Sequence, residues 1–204
     1  MSTRCVQLTA APRLHNGSRA GVMEVTDEKP PVDVNAAEFR QAMGHFATGV
    51  TVVTSVGADG EPVGTTANAV TSLSLDPPLL LVCFDRSSVT LRAVREHGAF
   101  VVNVLAARQR HLSANFARRG LSAVWDEVGH HVGPTGSPRL DGTLAAIECT
   151  VHERLPGGDH EIIVGRVRDV ETNGLNTAPL LFWRGGYGSL LGDPAVSAST
   201  SPQA

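Results

Sequence analysis

The sequence predicts a mainly β fold, an antiparallel barrel with two or three short helices packed on it. Short β-branched or apolar runs recur along the chain (VTVVTSV, LLLVCF, AFVVNVL), and tight-turn signals such as Asp59-Gly60 and PGGD separate them. Strand does not alternate regularly with long helix, as βαβ units would require.

The chain has 204 residues, 42% of them hydrophobic and 18% charged, which suits one domain with tails and a sizeable core. Residues 1 to 34 carry Pro, Gly, Ser, Thr and scattered charge without periodicity and are expected to form a disordered leader. Residues 192–204 are expected to form a disordered tail, which leaves 35–191 as the folded domain. The net charge is -3 and the basic residues are dispersed, so no nucleic-acid partner is expected. The longest apolar run, Leu79 to Phe84, is far short of the roughly 20 residues of a membrane-spanning helix. The N-terminus has no compact apolar secretory block, so a cytoplasmic protein is expected. Cys5, Cys83 and Cys149 are odd in number and far apart, which is reduced-thiol usage; the last two sit in apolar runs as small core residues.

Asn35 and Glu38 have capping-box spacing, and Phe39, Met43 and Phe46 follow at i, i+4 and i+7, predicting a helix that Gly49 ends. Val50 to Val56 is strand, turned at Asp59-Gly60, and the return strand is expected to start near Val63 and run straight through GTTANAV. A Pro-Pro break precedes a buried strand, LLLVCF. Ser88 and Gly98 bracket a short helix, AFVVNVL is a strand, and ARQRHLSANFARR is a further helix. TLAAIECTVHERL and HEIIVGRVRDVE alternate as two long strands joined at PGGD, and PLLFW is expected to close the sheet.

The sequence lacks GxGxxG after a strand, GxxxxGK[ST], HExxH and GxSxG. The histidines show no ligand-spaced cluster, and adjacent His130 and His131 suggest a loop rather than zinc. Four weaker signals remain. In an unbroken strand Thr66, Asn68 and Val70 would share a face, with Thr65 and Ala67 on the other. Asn68 offers a donor and an acceptor suited to the edge of a heterocycle, although on this segment alone a half-exposed edge strand, where Thr is common, is the favoured explanation. Arg86, Ser87, Ser88 and Thr90 at a helix start suit an anion such as phosphate, or an ordinary helix cap. GGDH ends in His160, whose ring would face either a ligand or solvent. In PLLFWRGGYG, Trp183 and Tyr187 would wall a planar ligand or pack in the core, and core is the ordinary role for Trp183.

The order of these segments resembles that of the flavin reductase-like family, the reductase components of two-component flavin-dependent monooxygenases. FRQAMGHFATGVTVVTS, TTANAVTSLSLDPPLLLVCF, NVLAARQRHLSANFA with Trp125 after it, GSPRLDGTLAAIECTV, GGDHEIIVGRV and PLLFWRGGYG carry the resemblance over residues 36 to 190. It implies an FMN-binding split β-barrel, a homodimer with flavin near the subunit interface, and FMN or FAD reduced by NADH or NADPH for a separate monooxygenase. It further implies that Thr65, Thr66, Ala67 and Asn68 line the isoalloxazine and that Ser72 lies near the ribityl-phosphate path. Arg86, Ser88 and Thr90 would hold the phosphate, while Asn103, Val104 and Leu105 would approach the ring or its tail. His160 would lie near the nicotinamide, and Tyr187 close to the site. A pyridoxamine phosphate oxidase-type enzyme and a non-catalytic flavin carrier are the competing readings.

Overall fold

The computed structural model describes residues 33–118, 125–173, 177–188 and 190, and Asn35 onward forms one unit. The leader, apart from its last two residues, and the tail lie outside the described residues. Helix α1 (Ala36–Met43) opens on the predicted capping box: the Asn35 side chain accepts from the Ala37 and Glu38 N–H groups, and the Glu38 carboxylate accepts from the Asn35 N–H. It stops at Gly44 rather than Gly49, because the chain there turns into β1 (Thr48–Gly49), a strand with a partner late in the sequence. Phe39, Met43 and Phe46 are accordingly exposed and do not form a buried stripe.

There follow β2 (Thr51–Val56), β3 (Pro62–Ala67), β4 (Val70–Leu75), β5 (Pro78–Asp85), α2 (Val89–His97) and β6 (Ala99–Val104). A 3-10 turn (Ala107–Gln109) leads into α3 (Arg110–Phe116). The rest is strand: β7 (His130–Val132), β8 (Pro138–Leu140), β9 (Ala145–Gly157), β10 (His160–Thr172), β11 (Leu181–Trp183) and β12 (Gly186–Gly188). Gly60 (φ +84°) and Gly158 (φ +69°) take the left-handed turn positions of the two predicted hairpins. The Ser88 hydroxyl accepts from the Leu91 N–H at 3.3 Å and Gly98 (φ +76°) ends α2, both as predicted.

Seven strands form one antiparallel sheet in the order β3-β2-β6-β9-β10-β5-β4. Its two edge strands, β3 and β4, are consecutive in sequence and only Asn68 and Ala69 separate them. Three Cα–Cα steps reach at most about 11 Å, so the sheet must curl until its edges approach each other. The Ala69 carbonyl accepts from the Cys83 N–H at 3.0 Å, but β3 and β4 share no ladder, and the barrel stays split. The predicted straight passage through GTTANAV is therefore interrupted at Asn68-Ala69.

Alternation along β2 feeds two cores. Val53 faces inward with Leu80, Val82, Phe84, Phe100, Val102, Cys149 and Ile163, and Leu91 and Val94 of α2 belong to the same cluster. Val52 faces outward with Leu105, Leu112 and Phe116 beneath α3. Each such fully buried side chain is worth roughly 1.5–3 kcal/mol of burial. Gly165 is required where Phe100 crosses β10, since a Cβ there would lie 2.5 Å from Phe100 Cζ. Cys149 is buried as expected and Cys83 half-buried, both as free thiols; burial, then neighbouring Glu148, pushes the Cys149 thiol up to about 12.

Two other expectations are corrected. PLLFW does not close the main sheet: β11 pairs with β1 and β12 in a separate three-stranded sheet, and Trp183 is about half exposed, with Arg184 over its ring. His130 and His131 lie in β7, paired with β8, rather than in a loop. Among the described residues no helix is long and apolar enough to cross a membrane.

A buried ion cluster fastens β8 to the long hairpin. Arg139 donates to Glu148 from Nε (2.9 Å) and Nη2, to Asp169 from Nη2, and to Glu171 from Nη1 (3.2 Å). Glu148 is fully buried, so removing Arg139 strands a charge. Arg139 holds the Asp169 carboxyl below its ordinary range; Asn173, then Arg139, does the same for Glu171. Depressed folded-state values mean that these two stabilise above the unfolded carboxylate range, near pH 4, and stop doing so as pH falls through the folded values. Arg139→Met should lower the unfolding free energy at neutral pH by about 3–5 kcal/mol and flatten the loss of stability below about pH 4. Urea melts across pH check both, and an unchanged midpoint at neutral pH would remove the cluster from the account of the fold.

Candidate active site

A groove of about 630 Å³ lies at the split of the barrel. Its floor is Val102 and Val104 of β6, Ile147 of β9 and Val167 of β10, and three of these also line the inward-facing core, so the barrel interior emerges at the groove. Thr48, Thr51, Asn68, Thr71, Ser72 and Ser74 add polar groups around this apolar floor. A mostly apolar cleft of this size with a few placed polar groups is the ordinary form of a small-molecule site.

Asn68 reaches the groove because the strand breaks there. Its Nδ2 donates to Thr48 Oγ1 at 3.3 Å, and the residue is otherwise exposed. The break also resets the alternation. Ala67 and Val70 both pack against the inner core, whereas Thr66 points outward, its hydroxyl donating to the Ser113 carbonyl of α3 at 2.7 Å. Thr66 and Val70 thus lie on opposite sides, contrary to the unbroken-strand expectation. Thr65 pairs with Val53, an inward-facing position. Ser113 Oγ shares a hydrogen bond with the Tyr187 hydroxyl at 2.8 Å, and the Arg110 guanidinium stands 4.7 Å from the Tyr187 ring centre.

The FDRSS and GGDH segments meet, since β5 and β10 pair with Asp85 opposite His160. The Arg86 N–H donates to the Asp159 carbonyl and Arg86 Nε to the His160 carbonyl, each at 3.2 Å. Asp85 Oδ1 accepts from the Ser87 N–H at 2.8 Å and from its hydroxyl at 2.6 Å, which shapes the turn into α2. The His160 ring is partly exposed, with Nδ1 2.7 Å from Asp159 Oδ1. That contact is the chief reason the Asp159 carboxyl lies below its ordinary range. An ionised carboxylate only accepts, so Nδ1 carries a proton and Nε2 is left as the other ring nitrogen.

On the opposite face of β10 Glu161 borders a second, more open pocket of about 440 Å³, lined by Arg86, Arg95, Arg154, Leu155 and Pro156 as well. Arg95 holds both Glu161 oxygens, from Nε at 3.0 Å and from Nη2.

The predicted residues therefore fall into groups rather than one cavity. Asn68, Ser72 and Val104 line the groove; Thr65 and Ala67 stand on the inward side of the strand leading to it; and Arg86 and His160 come together at the β5–β10 end. Ser88 serves as the α2 cap, and Thr90 is buried. Asn103 and Leu105 are fully buried. Asn103 Nδ2 donates to the Val52 carbonyl (3.1 Å) and to Thr54 Oγ1 (3.0 Å), while its Oδ1 accepts from the Leu140 N–H (2.9 Å), so the amide is saturated inside the protein. Asn103, Leu105, Thr90 and Thr66 thus direct their side chains into the protein rather than toward the groove. Sequence reasoning missed Thr51, the rest of the floor (Val102, Ile147 and Val167), Arg95, Arg154 and Glu161. The period-2 pattern could have found the floor, but Arg154 gains its neighbours only through strand register.

A family model described as the flavin reductase like domain matches residues 43–191. A probable flavin reductase of Rhizobium meliloti (strain 1021) is 45% identical over 162 residues, which are 79% of this chain and 51% of that protein; the chain thus spans about half the length of that relative. The crystal structure of nitrilotriacetate monooxygenase component B from Mycobacterium thermoresistibile superposes with a TM-score of 0.73 at 37% identity, covering 82% of this chain and 92% of that one. The Streptomyces globisporus C-1027 NADH:FAD oxidoreductase SgcE6, solved with NAD and FAD fragments, gives a TM-score of 0.72 at 35% identity, covering 77% and 93%. With the split sheet and the Arg86–His160 junction, these matches show that the chain belongs to the flavin reductase-like family.

Proposed function

We propose that this protein is an NAD(P)H:flavin oxidoreductase that reduces FMN or FAD and supplies the reduced flavin to a separate monooxygenase. The observation that carries the reading is the apolar-floored groove with Asn68 on its rim. When bound, flavin and nicotinamide themselves supply the chemistry, hydride transfer from nicotinamide C4 to flavin N5. The chain's own residues fit such ligands: Val102, Val104, Ile147 and Val167 give a planar ring an apolar bed and exclude water, and Asn68 offers both a donor and an acceptor to its edge. Arg86, at the turn into α2, supplies a cation for phosphate beside the Ser88 cap. His160, fixed by Asp159, keeps Nε2 for the nicotinamide carboxamide or for holding a proton. No nucleophile or triad is needed.

The groove's surroundings support a homodimer. Phe46 (68% exposed), Leu75 (92%) and Val170 (52%) stand around it, and Phe39 and Met43 continue the apolar surface along α1. A second copy covering these side chains would also dry the groove. Leu75→Glu should convert a dimer to a monomer in light scattering coupled to gel filtration; a wild-type protein that is monomeric at micromolar concentration would refute the dimer.

Turnover is tested by mixing purified protein with NADH or NADPH and excess FMN, FAD or riboflavin and following absorbance at the nicotinamide band. Multiple turnovers are expected; none with either nucleotide rejects the reading in favour of a flavin carrier. Asn68→Ala should weaken flavin binding about tenfold (roughly 1.4 kcal/mol) with the thermal midpoint unchanged. His160→Ala should raise KM for the nicotinamide nucleotide and leave the flavin Kd in place, whereas unchanged kinetics would remove His160 from the site.

A further inference from the structure

We propose that the arginine pocket on the Glu161 face of β10 is a second anion subsite, one that takes the adenylate phosphates of a dinucleotide and so favours FAD over FMN. The inference rests on the flavin-reducing reading above and names which half of the ligand this pocket holds. Three guanidinium groups line it, from Arg86, Arg95 and Arg154, with a single carboxylate, Glu161. Both Glu161 oxygens are held by Arg95, so the pair is internally neutral and the charges of Arg86 and Arg154 are left over. Arg95 first, and then Arg154 and Arg86, hold the Glu161 carboxyl below its ordinary range, which places all three cations within electrostatic reach of one point. Among the described residues the Arg154 side chain has no hydrogen-bond partner and no close ion pair, although its charge is felt at Glu161.

The register explains why the cluster forms. Arg154 pairs with Ile163 and Pro156 with Glu161, so all four stand on one face of the hairpin, and α2 brings Arg95 down onto it. Pro156 and Leu155 give the pocket an apolar wall beside its cations, a combination suited to a nucleoside phosphate rather than to a bare anion. At about 440 Å³ the pocket exceeds what one phosphate group fills. Its link to the flavin reading is Arg86. Arg86 leaves β5 at the turn proposed to hold the flavin's own phosphate and lines this pocket as well, so a diphosphate could run from one to the other. The His160 ring lies on the other face of the strand, which sets the pocket apart from the proposed nicotinamide contact. NADH and NADPH carry the same adenylate chemistry and are the alternative source.

The test is Arg154→Ala, with Arg168→Ala as a control; Arg168 lies elsewhere on β10, its Nε donating to Thr150 Oγ1 at 2.8 Å. Equilibrium Kd values for FAD, FMN and riboflavin come from flavin fluorescence quenching, and KM for NADH and NADPH from turnover with saturating FMN. Wild type should bind FAD more tightly than FMN, and Arg154→Ala should weaken FAD about tenfold with FMN and riboflavin unchanged. Weaker NADH or NADPH binding with all flavins unchanged would overturn the FAD preference and assign the adenylate subsite to the nicotinamide nucleotide instead. Equal losses for FMN and FAD, an effect matched by Arg168→Ala, or no change in any ligand would overturn it. A protein that binds flavin but never turns over would reject the reductase reading, and the FAD-to-FMN ratio would still decide this one.

Discussion

The structure depends on the shortness of one connection. β3 and β4 are the two edges of a seven-stranded sheet, yet Asn68 and Ala69 alone join them. A flat sheet of seven strands, spaced about 4.8 Å apart, would hold its edges roughly 29 Å apart, well beyond the reach of that link. The sheet has to curl. Curling gives the inward faces of β2, β5, β6, β9 and β10 a shared interior, and α2 adds Leu91 and Val94 to it. Six antiparallel pairings separate β3 from β4, so the two run in the same direction and the link lays them end to end without a ladder between them. A groove at the split follows from this geometry.

Polar groups in the protein divide according to whether the fold has already used them. Asn103 satisfies three partners across β2, β6 and β8, and Arg139 gathers three carboxylates from β9 and β10. Such groups fix register where a one-residue slip would turn the inner core outward. Asn68, His160 and Arg154 differ. Each keeps hydrogen-bonding capacity toward solvent, and each stands where a strand breaks or a hairpin projects. Groups left over in this way are the ones a ligand can recruit without dismantling the fold.

That division explains what was legible in the sequence. Signals that act within a few residues came through: the Asn35–Glu38 box, the Ser88 cap, the Gly98 stop and both hairpin turns depend on neighbours the sequence displays. Family membership was legible too, in the order of weak motifs. What failed was long-range. The helix ends at Gly44 because Thr48 and Gly49 are claimed by β11, more than a hundred residues away, and nothing near Gly44 announces it. Period-2 reasoning placed Thr66 beside Asn68 only on the assumption of an unbroken strand. Asn103 looked available because an amide in an apolar strand carries the same letters whether it meets a ligand or locks Leu140 in place. The arginine pocket was invisible for a related reason, as its members are 86, 95, 154 and 161 in the chain and adjacent only through register.

The openness of the site bears on the proposed function. A reductase that hands its product to another enzyme gains nothing from gripping flavin tightly, because release then limits turnover. Asn68, on the rim of the groove, is exposed, and the floor is aliphatic, so contacts there are few and non-directional. The strongest cations stand apart, on the outlying hairpin and the turn into α2, where a phosphate or diphosphate tail would meet them rather than the reacting ring. Affinity drawn from a tail is independent of the ring's redox state, whereas affinity drawn from buried charges beside the ring would differ between oxidised and reduced forms. Placing cations at the tail and leaving the ring on an apolar bed lets both forms enter and leave by the same contacts, which is what a diffusible reduced cofactor requires.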